Sequence, residues 1–335
     1  MKKLNSYIRI DTMDYLRGIA LLGILFINSF QVMGNLPNYN LSNLHFEFYD
    51  MFNRKFYPIL FFLFGLGTYF FMNRPKEKLI NRYFLLLRRL GLLFMIGLIH
   101  TIYAPQGLSD VLTVYAIMGL LLVMFLKMSK WINLSMVILL VFLSIFTAMN
   151  QPYYGEPIQW LFLLSDICQF LSWMLLGYTM GQFKFFENIY GKLKCIVTFL
   201  IATIIIYFYV KRLNLNAIYS PTVLEKLEDY IVASMIISIV IISLQWSGAK
   251  AILTPIKFYG QMSLTNYLAQ SVLLLVFSSI ISFIPINSLI GCFMIHAILI
   301  IFSSLWLKYY AIGPIELLLR RFTYWSKIPN VKRGI

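Results

Sequence analysis

The chain is 335 residues long, 60% hydrophobic and only 12% charged, with a mean hydropathy of +0.77. No soluble domain of this size has interior enough to hide so much apolar surface, so composition excludes a soluble globular protein and points to an all-α, polytopic membrane protein. The net charge of +15 is spread over many short segments rather than gathered in one aromatic-interleaved patch, which excludes a nucleic-acid partner and leaves topology and anionic lipid headgroups to explain it.

Apolar runs of about 18 to 25 residues, each enough to cross a hydrocarbon core of about 30 Å as a helix, recur along the whole length. The hydropathy pattern predicts ten spans: Asp14 to Gly34, Lys55 to Asn73, Leu87 to Ala104, Asp110 to Lys127, Trp131 to Met149, Ile158 to Gly181, Leu193 to Val210, Tyr230 to Ser247, Met262 to Phe283, and Ile286 to Lys308. No soluble domain is left over, so residues 1–335 read as a single integral membrane domain. The first span opens on Asp11-Thr-Met-Asp14-Tyr-Leu-Arg17-Gly18 and keeps Arg17 and Asn28 inside an otherwise greasy helix. It is too long for the core of a secretory signal and is followed by no small-residue cleavage pattern, so it is expected to stay in the mature protein.

With the N-terminus cytoplasmic, the outer segments hold only Arg54, Lys55, Lys211, Arg212 and Lys226, and the other 23 of the 28 basic residues fall inside. This positive-inside bias places both termini in the cytoplasm and requires an even number of spans. Three loops punctuate the chain: a polar outer loop from Asn35-Leu-Pro37-Asn-Tyr39 that carries His45, Glu47 and Asp50, the tight outer turn Pro105-Gln106-Gly107, and a charged outer loop from Lys211 to Asp229 containing Pro221. Cys168, Cys195 and Cys292 lie in separate spans with no ligand spacing around them, so neither a metal site nor a disulfide framework is expected.

The four spans over 14–127 carry the sharpest constellation. Across the turn at Pro105-Gln106-Gly107 the third and fourth spans run antiparallel, so His100 and Asp110, placed about the turn, meet at similar depth in the outer half of the bundle. A carboxylate that orients an imidazole and holds its tautomer leaves the second ring nitrogen free to take a proton from a hydroxyl or amine. Ionisable groups inside a membrane are costly, which favours a functional pair. Asn28, eleven residues beyond Arg17, projects to the same depth. His296 and Asp166 are comparable intramembrane polar residues, each also read as an interhelical packing contact. At the inner mouths, Arg17, Arg82, Arg88 and Arg89 form a cluster whose forked guanidiniums suit the phosphates of an anionic donor, with interfacial snorkelling as the plainer reading. Gly65, Gly67, Gly91 and Gly97 read as close helix contacts.

The opening Asp14-Tyr-Leu-Arg17-Gly18-Ile-Ala-Leu-Leu-Gly23-Ile-Leu-x-x-Asn28 resembles that of the YeiB-like bacterial membrane proteins. So do Lys55-Phe-Tyr-Pro58 with Leu63-Phe-Gly65-Leu-Gly67, Arg88-Arg89-Leu to Gly97-Leu-Ile-His100, and Asp110-Val-Leu-x-x-Tyr115-Ala. Over 230–321, Tyr259-Gly260-x-Met262-Ser-Leu264-Thr265-Asn266-Tyr267-x-x-Gln270-Ser271 and Gly313-Pro314-x-Glu316-x-Leu318-x-Arg320-Arg321 resemble that family's C-terminal module, the domain of unknown function 418. Ser109 stands where the family usually has Gly, and Gln261 where an Arg is common. The start also resembles the wider transmembrane acyltransferase superfamily, which includes heparan-alpha-glucosaminide N-acetyltransferase.

That resemblance implies a transmembrane acyltransferase-like bundle in a bacterial cell membrane, moving an acyl group from a cytoplasmic acyl-CoA-type cosubstrate to an envelope lipid or glycan acceptor, with no tightly bound cofactor. His100, oriented by Asp110, is then the expected general base. Asn28, Asn266, Tyr115 and Gln270 are expected substrate-binding residues, and Arg17, Arg88 and Arg89 are expected to bind the donor. Two other classes fit the same features: a proton-coupled small-molecule or lipid transporter using His100 and Asp110 as a relay, and a noncatalytic partner in envelope synthesis.

Overall fold

The computed structural model describes residues 11–34, 49, 51–73, 79–103, 110–151, 158–187, 189–215, 221–281, 288–325 and 330. His45, Glu47, Asp50 and the turn Pro105-Gln106-Gly107 lie outside the described residues, as do Ser109 and the first residues of the tenth expected span. The described chain is helical: α1 (Asp11–Gly34), α2 (Tyr57–Met72), α3 (Leu79–Tyr103), α4 (Val111–Val123), α5 (Lys130–Met149), α6 (Gln159–Gln182), a 3-10 turn (Phe185–Glu187), α7 (Ile189–Leu215), α8 (Pro221–Ser243), α9 (Ser247–Gln261), α10 (Ser263–Ile281), α11 (Ser288–Tyr309) and α12 (Pro314–Tyr324).

Each of the ten expected stretches contains a helix. Among the described residues, six helices (α1, α3, α5, α6, α7 and α11) are long and apolar enough to cross a membrane, and α9 with α10 makes a seventh if that bent pair is one span. The difference from ten has physical causes. Helices α2 and α4 are apolar but have only 16 and 13 residues, short of the roughly 20 a perpendicular crossing needs. Helix α8 carries Lys226, Glu228 and Asp229 in its first half, all buried.

Helices in lipid gain little from hiding apolar surface from one another, so close packing of small residues decides who meets whom. The tightest pairing is α2 with α6, where a Cβ at Gly65 would collide with the Met174 carbonyl oxygen and one at Gly177 with the Phe62 carbonyl. Helix α1 crosses α9 in the same way, with Gly260 lying on the Asp14 carbonyl and Gly18 on that of Ile256. The core between α1, α2, α4 and α6 is built from Leu16, Ile24, Phe61, Leu66, Ala116 and Met174, each at most 1% exposed.

Helix α9 falls where the sequence reading put an inner loop, because Lys250, Lys257 and Pro255 make it too polar for a span. It is amphipathic, and it meets α10 at an angle of 81° at Met262. The bend frees backbone N–H groups at the start of α10, and Glu316 of α12 takes them. Its Oε1 accepts from Leu264 N at 2.7 Å and Thr265 N at 3.0 Å, and its Oε2 accepts from Thr265 Oγ1 at 2.5 Å. A carboxylate at a helix N-terminus satisfies orphan donors and meets the positive end of the helix dipole. Asn266 closes the inside of the bend, donating to the Tyr259 carbonyl at 2.8 Å and to Ser303 Oγ at 2.9 Å.

Candidate functional site

Asp110 is the N-cap of α4, and its Oδ2 accepts from Thr113 N at 2.7 Å and Thr113 Oγ1 at 2.5 Å. Capping fixes that carboxylate, as an N-terminal acidic cap does in general. Its other oxygen, Oδ1, lies 3.0 Å from His100 Nδ1 on α3, and both side chains are under one-tenth exposed. Gly97, one turn before His100, makes the approach possible: a Cβ there would stand 2.5 Å from Asp110 Oδ2 and 2.6 Å from Thr113 N.

The carboxylate accepts, so Nδ1 carries the ring proton and Nε2 is the acceptor nitrogen. Nε2 lies 2.8 Å from Ser271 Oγ of α10. Ser271 therefore donates its hydroxyl proton to His100. Tyr267, one turn earlier on α10, packs its ring 5.3 Å from the imidazole and accepts from Val111 N at 3.2 Å, tying α10 to the start of α4.

His100 and Ser271 form the polar floor of an apolar groove of about 290 Å³ between α3, α10 and α12, walled by Ile99, Leu268, Val272 and Leu318. Ile99, Val272 and Leu318 are all exposed, so the groove opens at the surface of the bundle between these helices.

The expected arginine cluster divides. Arg17 pairs with the buried Asp14 at 3.1 Å and lies along Gly67 of α2. Arg89 stands 5.9 Å over the ring of Phe64, midway along α2, and Arg82 donates to the Met72 carbonyl at the C-terminus of α2. Arg88 turns the other way, its guanidinium 4.0 Å over the ring of Trp325 beyond α12. Tyr115 of α4 is stacked on Phe64 at 5.5 Å and set edge-on to Phe61 at 4.5 Å. Its hydroxyl is buried with no hydrogen-bond partner among the described residues.

The expected amide residues fall in different places. Gln270 is fully buried and donates to the Leu21 carbonyl at 3.2 Å and to Tyr259 Oη, while its Oε1 has no partner among the described residues. Asn28 is 2% exposed and its Oδ1 lacks a partner among the described residues. Asn266 is held in the α9/α10 bend by Tyr259 and Ser303 and, among the described residues, is not part of the lining of the His100 groove. His296 packs its ring against Phe26 and Tyr259, 5.5 and 6.2 Å away.

A second buried assembly was not foreseen. Arg54, at a left-handed backbone position (φ 60°), bonds both Asp166 of α6 and Asp229 of α8. Lys226 bonds Asp166 and, at 2.7 Å, Gln169. Gln169 donates to Asp229 at 3.2 Å, and Glu228 receives Lys55 and Lys211 at 3.7 and 2.7 Å. Among the described residues no three His, Cys, Asp or Glu side chains converge to hold a metal ion.

Taken together, these features define an all-helical membrane protein with a buried carboxylate–imidazole–hydroxyl chain at an apolar groove. Residues 9–185 match the family described as heparan-alpha-glucosaminide N-acetyltransferase, catalytic, and residues 180–326 match the one described as protein of unknown function (DUF418). The chain is 34% identical to an uncharacterised 39.9 kDa protein in the amylase 3' region of Bacillus acidopullulyticus, across 96% of this chain and 95% of that protein. It is 25% identical to the uncharacterised protein YxaH of Bacillus subtilis (strain 168), across 97% and 96% of the two chains. The protein therefore belongs to the YeiB-like family, with an acyltransferase-like catalytic domain followed by a DUF418 domain. His100, Asp110 and the arginines fall in the first part and Gln270 and Ser271 in the second, so both parts are needed to build the site.

Proposed function

We propose that the protein is a membrane-embedded acyltransferase that takes an acyl group from a cytoplasmic acyl-CoA-type thioester and delivers it to a lipid or glycan acceptor of the cell envelope. In this reading the bundle crosses the bacterial cell membrane ten times with both termini in the cytoplasm, the short α2 and α4 and the charged α8 being shielded by their neighbours. The carrying observation is the buried Asp110–His100 pair, whose acceptor nitrogen meets a hydroxyl at the floor of the groove. That geometry is what general-base catalysis of acyl transfer needs: a base of fixed tautomer and a hydrogen-bonded hydroxyl at an apolar groove.

Arg17 and Arg89 steer the anionic donor toward the bundle, and Tyr115 offers its hydroxyl to substrate. Of the amides expected to meet substrate, Gln270 Oε1 and Asn28 Oδ1 are the ones without a partner among the described residues. The test is acyl transfer from radiolabelled acyl-CoA by purified protein supplied with an envelope lipid and glycan extract. His100→Ala is expected to lower turnover by about 10²- to 10⁴-fold while the protein elutes and melts as the parent does. Equal turnover by the variant removes the assignment, and proton-coupled solute uptake into vesicles without thioester consumption replaces it with transport.

A further inference from the structure

We infer that Ser271 is the nucleophile of this site, carrying the acyl group as an ester before the acceptor receives it, and that the groove beside it holds the hydrocarbon chain of that acyl group. The inference rests on the acyltransferase reading and adds to it a covalent intermediate and a substrate class.

The behaviour of the hydroxyls in this bundle is the first argument. A serine or threonine inside a membrane helix satisfies itself by bonding the carbonyl three or four residues back. Thr68, Thr101, Thr179, Ser238, Ser278 and Ser304 do so, while Ser144, Ser165 and Ser303 bond a carbonyl or an amide of a neighbouring helix; among these hydroxyls none but Ser271 meets an imidazole nitrogen. Ser271 makes its hydrogen bond instead to His100 Nε2, across 171 positions of sequence, and it is 3% exposed. The second argument is the order of the chain. Thr113 holds Asp110, Asp110 holds His100 Nδ1, and His100 Nε2 accepts from Ser271. Nucleophile, base and orienting carboxylate within hydrogen-bond reach of one another are the geometry that activates a serine. The third is the polarity of the groove: a polar floor of His100 and Ser271 under walls of Ile96, Ile99, Val272 and Leu318 matches an acyl group, with its carbonyl at one end and its chain at the other.

The chemistry balances in two steps. In the first, His100 Nε2 takes the Ser271 hydroxyl proton as Oγ bonds to the thioester carbonyl carbon; the carbon–sulfur bond then breaks and the sulfur leaves with that proton as a free thiol. In the second, the acceptor's hydroxyl or amine gives a proton to Nε2 as its oxygen or nitrogen bonds to the ester carbon. The carbon–Oγ bond breaks and Oγ recovers the proton. The sum is acyl thioester plus acceptor giving thiol plus acylated acceptor, with the protein unchanged.

The experiment uses the full-length protein in detergent with palmitoyl-CoA and no acceptor, read by intact mass and peptide mapping. One acyl group per chain is expected, on the peptide containing Ser271, absent in Ser271→Ala and His100→Ala. Ser271→Cys keeps a nucleophile in place, so it is expected to hold the label as a thioester that neutral hydroxylamine removes, and an unlabelled Cys variant that elutes as the parent does overturns the inference even if the Ala variant fails to fold. Acetyl-CoA is expected to label about tenfold more slowly, because a two-carbon group has no chain to anchor its carbonyl beside Oγ; equal rates overturn the groove assignment. Transfer that survives Ser271→Ala but not His100→Ala overturns the nucleophile and leaves the acyltransferase standing. A parent protein that neither labels nor transfers overturns both.

Discussion

Two buried charged assemblies sit in this bundle, and they are built differently. The Asp110–His100–Ser271 chain is linear: each group has one partner on each side, and its far end reaches a groove. The assembly of Arg54, Lys226, Asp166, Asp229 and Gln169 is closed, every cation meeting a carboxylate and Gln169 bridging both kinds. Burial of charge alone therefore does not mark function here. What separates a site from a staple is a group whose next partner is a ligand.

The comparison breaks most visibly through the closed assembly. Asp229 is 2% exposed and holds Arg54 against α8. Asp229→Ala leaves the partly buried Arg54 guanidinium with Asp166 but without its second carboxylate and is expected to cost about 1.5–3 kcal/mol, read as a fall in the melting temperature of the detergent-solubilised protein. Chains that remain folded should transfer acyl groups at close to the parent rate. A variant that melts normally but has lost transfer would exchange the roles of the two assemblies.

Asp110→Asn probes the open chain. It keeps the shape, but the amide presents its NH₂ where an acceptor is needed, so the imidazole loses the partner that fixes its tautomer. Transfer is expected to fall by about 10²-fold or more, whereas stability should change by only about 1 kcal/mol, the typical worth of one hydrogen bond. The same contrast is sharpened by Gly97→Ala, which touches no reacting group. Its new methyl displaces the Asp110 carboxylate and the first turn of α4, and a displacement approaching 1 Å is expected to slow transfer by up to about 10²-fold. Slow transfer with an unchanged α3/α4 hairpin, checked by hydrogen exchange, is the outcome that assigns the effect to positioning.

The open chain was half legible from sequence and the closed assembly hardly at all, and the reason is distance along the chain. His100 and Asp110 are ten residues apart across one turn, so antiparallel geometry alone puts them together. Ser271 reaches His100 across 171 positions and Arg54 reaches Asp229 across 175, contacts that hydropathy runs do not encode. Helical stretches were legible because apolar length is a local property. The α9/α10 bend was not, because its causes are the close approach of Gly260 to α1 and the capping of α10 by Glu316, both tertiary. Arg54 and Lys226 were sorted to the outer segments by the positive-inside count, which weighs the sign of a charge and is blind to a buried carboxylate waiting for it.

The smallest expected effect bears on the arginines, where donor binding and anchoring make opposite forecasts. Arg88 stacks on Trp325, a ring that is 78% exposed, and an exposed cation–π contact contributes about 0.5–1 kcal/mol. Trp325→Ala is expected to loosen the end of α12 by that amount. If Arg88 serves the donor, freeing it from the ring leaves the KM for acyl-CoA unchanged or lower, and Arg88→Ala raises it. If Arg88 only anchors α12, both substitutions shift stability alike and neither moves the donor KM. Arg89 lies over Phe64 of α2; if it serves the donor, Arg89→Ala should raise the donor KM by several-fold, up to about tenfold, the worth of one charge-assisted contact. A KM that follows Arg89 and Arg17 but not Arg88 places the donor's entry along α2.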